Sequence, residues 1–172
     1  RFASIRYNYY DDAGGSYKPK ENEFFSIENY SKREKMNYTA EPALVENTLF
    51  LRNGRENDWL VFEKKFRKMV QKLKQDCTKY FIIVPHQSQV NQVYYDQIQR
   101  IGAQFDRPVF GIETDDYPLY SKLFNLCDEL GVRFVEPLSR FRYDINNEGL
   151  YYQNDPHLTP FGNMQLAAIV LE

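Results

Sequence analysis

The sequence predicts a single α/β domain, a three-layer sandwich whose mainly parallel sheet has helices on both faces. Short apolar runs alternate with helical repeats from residue 48 to 136, a pattern that is typical of parallel sheets. The run Tyr80–Val84 is apolar throughout, as a central strand buried on both faces requires. A length of 172 residues suits one domain of ordinary size.

The N-terminal part lacks this regularity. The first ten residues alternate loosely between apolar and polar side chains, which predicts a strand. Residues 11–43 are polar and have no period, so we expect a long loop or lid with one helical turn near Ser26–Arg33. The chain is therefore divided into 1–44, a strand with a polar loop or lid, and 45–172, the α/β domain.

The spacing of apolar residues predicts the remaining strands and helices. Short apolar runs predict three more strands, at 48–51, 108–112 and 132–135. Apolar residues at helical spacing predict helices over 59–73, 90–101 and 119–130. Thr159 and Pro160 predict the start of a last helix, because threonine caps free N–H groups and proline needs no N–H at the first helical position. The expected buried face of that helix contains Phe161, Met164, Ala168 and Leu171.

Composition narrows the classes of function. The formal net charge of −2 gives no basic field, so no nucleic-acid partner is expected. The basic stretch Lys64–Lys68 is interpreted as the solvated face of an amphipathic helix. No apolar run reaches the roughly 20 residues of a transmembrane helix, and the chain itself is expected to be soluble. The compartment stays open, with an exported or membrane-associated protein among the alternatives.

The segment Asp155-Pro156-His157 is the strongest candidate for chemistry. It lies in a loop that leads into the last helix, and such loops border ligand sites in open parallel sheets. An aspartate beside a histidine can hold one ring nitrogen, fix the tautomer and stabilise the imidazolium. The alternative is a loop histidine engaged in local hydrogen bonds.

Residues 150–162 read Leu-Tyr-x-x-x-Asp-x-His-x-Thr-x-x-Gly, after the phrases Ile82–Pro85, Tyr117–Tyr120 and Gly131–Leu138. Over about 45–172 this order resembles the SGNH (GDSL-like) hydrolase and acyltransferase superfamily, especially its sugar-acetylation branches. The resemblance implies a flavodoxin-like fold of the SGNH type. It also implies a serine esterase or O-acyltransferase acting on acyl groups, above all acetyl groups, of carbohydrates or small esters, without a cofactor.

The same resemblance makes His157 the general base and Asp155 its orienting partner, but it leaves the nucleophile unidentified. Members of the superfamily carry the serine in a Gly-Asp-Ser turn near the N-terminus, and this sequence has none. Gly14-Gly15-Ser16 is the sequence most similar to a Gly-Asp-Ser turn, but Ser16 follows no buried strand. We therefore expect the first strand and the serine turn to be missing from this chain.

Four further residues are candidates for the site. Asn57 follows Gly54 in a turn similar to the one that supplies the oxyanion donor of the superfamily; alternatively, Asn57 or Asp58 caps the next helix. His86 and Gln89 follow the expected central strand and are candidates to line the substrate pocket, as is Tyr152 near Asp155. For His86 a pocket or structural role is favoured over a catalytic one.

No metal is expected, because no cluster of His, Cys, Asp and Glu has the spacing of a metal site. The oligomeric state is left open. The main competing hypothesis is a noncatalytic glycan- or protein-binding module, which the absent nucleophile and the tyrosines around Asp155 favour. A third is a doubly wound domain that binds a small anion at a helix N-terminus. A hydroxyl within about 3 Å of the His157 ring, with Asp155 on the opposite ring nitrogen, would support the enzyme, and Asp155 turned to solvent would support the module.

Overall fold

A computed structural model describes residues 23–74, 76–143 and 147–172. These ranges contain seven α-helices, two β-strands and short 3-10 helices. The elements in chain order are α1 Lys32–Ala40, α2 Leu44–Phe50, α3 Arg55–Lys72, β1 Tyr80–Ile82, α4 Gln92–Arg100, α5 Pro118–Glu129, β2 Arg133–Val135, α6 Leu138–Tyr143 and α7 Pro160–Leu171. The 3-10 helices are Gln87–Gln89, Val109–Gly111, Thr114–Asp116 and Asn147–Gly149.

The predicted three-layer sandwich with a mainly parallel sheet, flavodoxin-like and of the SGNH type, is wrong. The described residues are mainly helical and contain one sheet of two strands. Its strands, β1 and β2, are parallel, with Tyr80 opposite Arg133 and Ile82 opposite Val135. The strand predicted within the first ten residues lies outside the described ranges.

The strand predicted at 48–51 is the end of helix α2. Val45 and Leu49 are buried one helical turn apart, so the helical period begins before the apolar run that suggested a strand. Leu51 then ends the helix in the left-handed region, with φ of 52°. A short apolar run looks the same in a strand and in a buried helix, and here the helix is formed.

The strand predicted at 108–112 is a 3-10 turn at Val109–Gly111. Its backbone carbonyls accept hydrogen bonds from side chains, with Arg142 donating to the carbonyls of Val109 and Ile112 and the Tyr117 hydroxyl donating to Val109. These bonds satisfy the groups that a neighbouring strand would otherwise have paired.

The strand predicted at 80–84 forms over Tyr80–Ile82 only, and the prediction that both of its faces are buried is wrong. Phe81 and Ile83 pack against the core. Tyr80, Ile82 and Val84 point the other way and are 47%, 38% and 48% exposed. Because all five residues are apolar, the sequence does not reveal the two-residue alternation of burial.

The helices predicted over 59–73, 90–101 and 119–130 are confirmed as α3, α4 and α5. The predicted start of the last helix is also confirmed, since Thr159 is its N-cap and accepts from the Gly162 N–H at 3.0 Å. The predicted buried face of α7 is wrong. Leu166 and Ile169 pack against the core, while the four residues expected to be buried are exposed, namely Phe161, Met164, Ala168 and Leu171.

The described part of the predicted loop or lid contains helix α1 and belongs to the core. Tyr30 and Tyr38 are each 1% exposed and pack in the cluster that surrounds α4. A second cluster lies between α3, α5 and the two strands, and Leu119 contacts both clusters. Lys64, Lys65 and Lys68 lie on the exposed side of α3. None of the helices in the described ranges has the length and apolar character needed to cross a membrane.

Candidate functional site

The Asp155 turn is a narrow loop whose two ends are held together before α7 begins. The Tyr152 N–H donates to the His157 carbonyl at 3.1 Å, and the Thr159 N–H donates to the Leu150 carbonyl at 2.9 Å. Within the loop, the Asp155 carboxylate accepts both from the His157 backbone N–H at 3.0 Å and from ring nitrogen Nδ1 of His157. The carboxylate therefore fixes both the backbone and the ring of the histidine.

This contact determines the tautomer of His157. A carboxylate only accepts hydrogen bonds, so Nδ1 carries the proton, and Nε2 is the nitrogen that can accept one when the ring is neutral. The Asp155 side chain is 4% exposed and the His157 side chain 47% exposed. A buried acid thus orients a ring whose surface reaches solvent, which is the arrangement of a general base and its partner.

The hydrogen bond to Asp155 raises the pKa of His157 above its ordinary value of 6.5, although partial burial acts in the opposite direction. The charge of Glu34 also raises this pKa and that of Arg33 lowers it. Both residues belong to the first turns of α1. The helix that was predicted as loop therefore forms one side of the site.

Glu34 and Tyr30 are site residues that the sequence analysis missed. Burial raises the pKa of the Glu34 carboxyl, and the negative charge of Asp155 adds to this rise. Burial also raises the pKa of the Tyr30 hydroxyl, with further contributions from Glu34 and Asp155. Tyr30, Glu34 and Tyr38 are spaced four residues apart, the spacing of one helix face, and that polar stripe was the available signal.

Hydrogen bonds of Asn154 connect the start of α1 to the Asp155 turn. Its side-chain oxygen accepts from the Ser26 N–H at 2.7 Å, and its side-chain nitrogen donates to the Phe24 carbonyl at 2.9 Å. Its backbone carbonyl accepts from the Ser31 N–H at 3.0 Å. Asn154 is 2% exposed, and its bonds connect the segment before α1 to the turn that carries Asp155 and His157, called the dyad below.

The structure places His86 in a second polar cluster. Nδ1 of His86 accepts from the backbone N–H and the hydroxyl of Ser88, the latter at 2.8 Å. Nε2 therefore carries the proton and donates to the Tyr38 hydroxyl at 2.9 Å. Burial lowers the pKa of His86 to about 4. The ring stays neutral near pH 7 and links α1 to the 3-10 helix that follows β1, which is a structural role.

Of the other two candidates for the substrate pocket, Gln89 lies beside His86 and Tyr152 lies in the Asp155 turn. Gln89 is 1% exposed, accepts from the His86 N–H at 2.9 Å and donates to the Tyr120 hydroxyl at 3.4 Å. Its amide is therefore engaged inside the protein. Tyr152 is partly buried in the Asp155 turn, where its backbone bonds to His157.

Asn57 is exposed in the first turn of α3, and its backbone N–H donates to the Gly54 carbonyl at 3.0 Å. The N-cap of α3 is Gly54, with no side-chain cap, so neither Asn57 nor Asp58 caps the helix. The side-chain contacts of this turn run from Arg55 to Glu41 and Asp58. Among the described residues, no hydrogen bond links Asn57 to Asp155 or His157. Ser16 lies outside the described ranges.

Two of the hollows on the described surface have volumes of about 640 Å³, along β2 and the end of α7, and about 250 Å³, between α2, α3 and α5. Neither of these two hollows is lined by Asp155 or His157. Within the described ranges, no three His, Cys, Asp or Glu side chains are grouped to hold a metal ion.

Comparisons with protein families, with curated proteins and with solved structures give no match to this chain. What the site can do is therefore argued from its own residues.

Proposed function

We propose that Asp155 and His157 form the acid–base pair of an acyl-transfer site, in a serine esterase or O-acyltransferase that acts on acyl groups, above all acetyl groups, of carbohydrates. The observation that carries the proposal is the bond from the His157 ring to the buried Asp155 carboxylate. The motif at residues 150–162 supports the proposed likeness to SGNH enzymes, whereas the two-stranded sheet counts against it.

In the proposed reaction His157 takes a proton from an attacking hydroxyl through Nε2. Asp155 stabilises the imidazolium that results, because its negative charge lies on the opposite ring nitrogen. The hydroxyl oxygen bonds to the acyl carbon, and His157 then gives the proton to the departing alcohol. Water or a second sugar hydroxyl accepts the acyl group in the following half-reaction.

The test is acetate release from p-nitrophenyl acetate and from an acetylated oligosaccharide, with His157→Ala compared with the wild-type chain. We expect His157→Ala to lower kcat/KM at least about 100-fold, the usual contribution of a general base. Asn125→Ala is the control, because Asn125 is exposed on α5, outside the Asp155 turn and α7. Unchanged activity in His157→Ala would contradict the proposal.

A noncatalytic glycan- or protein-binding module is the second candidate. The exposure of the His157 side chain, outside the two hollows described above, favours it. Asp155 is buried against His157 rather than turned to solvent, which counts against the module. Binding of the acetylated oligosaccharide without acetate release would favour the module.

A further inference from the structure

The hollow of about 250 Å³ between α2, α3 and α5 has a wall made mainly of core side chains. Its apolar residues belong to the second hydrophobic cluster or pack against it, and they are Leu51, Trp59, Phe62, Phe81, Leu119 and Leu123. An apolar cavity of about 150 Å³ is large enough to hold a benzene ring. The hollow therefore has room for one ring with a small substituent.

Arg55 is a polar residue of this wall that has one hydrogen-bond donor to spare. Its Nη1 donates to Asp58 at 2.8 Å, and its Nη2 donates to Glu41. Its Nε is buried and has no hydrogen-bond partner among the described residues. The hydroxyl of Thr48, which also lines the hollow, donates to the Leu44 carbonyl at 2.7 Å. Because a buried N–H is rarely left without an acceptor, an oxygen bound beside Arg55 would supply the missing partner.

The charges around the hollow balance one another. Arg55 lies between the carboxylates of Glu41 and Asp58. Lys122 adds a second positive charge, with its Nζ 5.8 Å from the centre of the Trp59 ring. A charged ligand would therefore meet no uncompensated opposite charge among these residues, and the transfer of a charge out of water without such compensation is costly. The ligand that suits this wall is uncharged.

The backbone at one edge of the hollow is strained. Leu51 has a φ of 52°, in the left-handed region where bulky residues are rare. Its side chain is 7% exposed and forms part of the wall. Strained backbone positions of this kind are concentrated at ligand sites. The strain at Leu51 is thus a third observation, beside the apolar wall and the unpaired donor of Arg55.

We propose that this hollow binds a small uncharged ligand that has an aromatic ring and one acceptor oxygen. The ring packs against Trp59, Phe62 and Phe81, because aromatic rings favour tilted and edge contacts with one another. The oxygen accepts from Nε of Arg55. The lining residues include none of the candidates for the acyl-transfer site, so the inference is independent of the proposed function.

The experiment titrates acetophenone into the full chain and follows binding by proton–nitrogen correlation NMR. Trp59 is the sole tryptophan of the sequence, so its indole N–H gives a single cross-peak. We expect acetophenone to shift this peak and the Arg55 Nε–H peak until both saturate. Three molecules of the same size serve as comparisons: cumene lacks the oxygen, benzoate is an anion and benzamidine is a cation. Cumene should bind about 5-fold more weakly, the contribution of one net hydrogen bond, and the two charged molecules more weakly still.

Arg55→Lys keeps the positive charge and removes the Nε–H. This variant should bind acetophenone about 5-fold more weakly and cumene with unchanged affinity. Arg67→Lys is the matched control, because Arg67 lies on the same helix and also pairs with two carboxylates, but does not line the hollow. Leu119→Phe places extra atoms in the hollow and should weaken binding of both acetophenone and cumene at least about 10-fold.

The absence of a saturable shift of the Trp59 peak up to the solubility limit of acetophenone would overturn the proposed site. Equal affinities for acetophenone and cumene, or equal losses in Arg55→Lys and Arg67→Lys, would overturn the role of Arg55. Tighter binding of benzoate or benzamidine than of acetophenone would overturn the assignment to an uncharged ligand.

Discussion

At the scale of single residues, the two histidines of this chain show how surroundings determine the charge of the same side chain. His157 shares a proton with a buried carboxylate, which raises its pKa. His86 is desolvated and bonds only to neutral groups, Ser88 and Tyr38, and its pKa falls to about 4. The charged form of the His157 ring is thus favoured, and the His86 ring is held neutral.

The first prediction follows from this contrast and is measured by NMR titration of the two imidazoles, which are the only histidines in the sequence. His157 should titrate above 6.5, and His86 should remain neutral down to about pH 4. Asp155→Asn removes the charged partner, so the pKa of His157 should fall. A His157 pKa that stays the same in Asp155→Asn would show that the carboxylate does not control the ring.

The same shifts give the sign of the pH effect on stability. The contact of His157 with Asp155 stabilises the fold fully below pH 6.5, and that contribution is lost as the pH rises through the higher folded pKa. For His86 the order is reversed. Stability falls as the pH drops from 6.5 towards 4, because the unfolded chain binds a proton that the folded ring does not.

At the scale of elements, the start of α7 is fixed by two residues with different functions. Thr159 accepts from the Gly162 N–H and donates to the Gly149 carbonyl at 2.6 Å. Gly162 lies so close to the backbone of Leu150 that a Cβ atom there would overlap the Leu150 carbonyl oxygen. The glycine in the motif of residues 150–162 is therefore required by close packing between the helix and the chain before the Asp155 turn.

The second prediction concerns this close approach. Gly162→Ala should lower the free energy of unfolding by about 1–3 kcal/mol, the usual cost of forcing atoms into a packed site. Gly149→Ala is the control, because its new Cβ would meet only Phe161 at 3.7 Å, an ordinary contact. Urea unfolding of both variants measures the difference. Equal stability of the two variants would show that α7 can move away from Leu150.

At the scale of the whole molecule, the N-terminal segment is part of the core rather than a separate lid. Tyr30 and Tyr38 pack in the main cluster with Tyr94 and Tyr151. Asn154 connects residues 24, 26 and 31 to the turn that carries the dyad. One unit therefore contains both α1 and the C-terminal site, although most of the sequence separates them.

The third prediction tests whether Asn154 holds the start of α1 against the Asp155 turn. Asn154→Ala removes three side-chain hydrogen bonds, those with the Ser26 N–H, the Phe24 carbonyl and the Glu23 carboxylate. The free energy of unfolding should fall by about 1–3 kcal/mol, and the amides of Ser26 and Ser31 should exchange with deuterium faster. Asn125→Ala, at an exposed position of α5, should change neither. Unaltered exchange at both amides would mean that α1 is held without Asn154.

The sequence by itself determined the elements whose signals are local. The spacing of Trp59, Phe66 and Val70 predicts α3, and Thr159-Pro160 predicts the start of α7, because periodicity and capping involve residues within one or two turns. The pairing of Asp155 with His157 was also predictable, since the two are separated by a single residue.

The tertiary structure alone decided the features that depend on residues far apart in the chain. It decided that residues 48–50 belong to a helix, that one face of β1 is exposed, and that α1 lies beside the Asp155 turn. The reason is physical: these outcomes depend on contacts such as that between Ser26 and Asn154, which lie 128 residues apart in the chain, and no local pattern encodes such a contact.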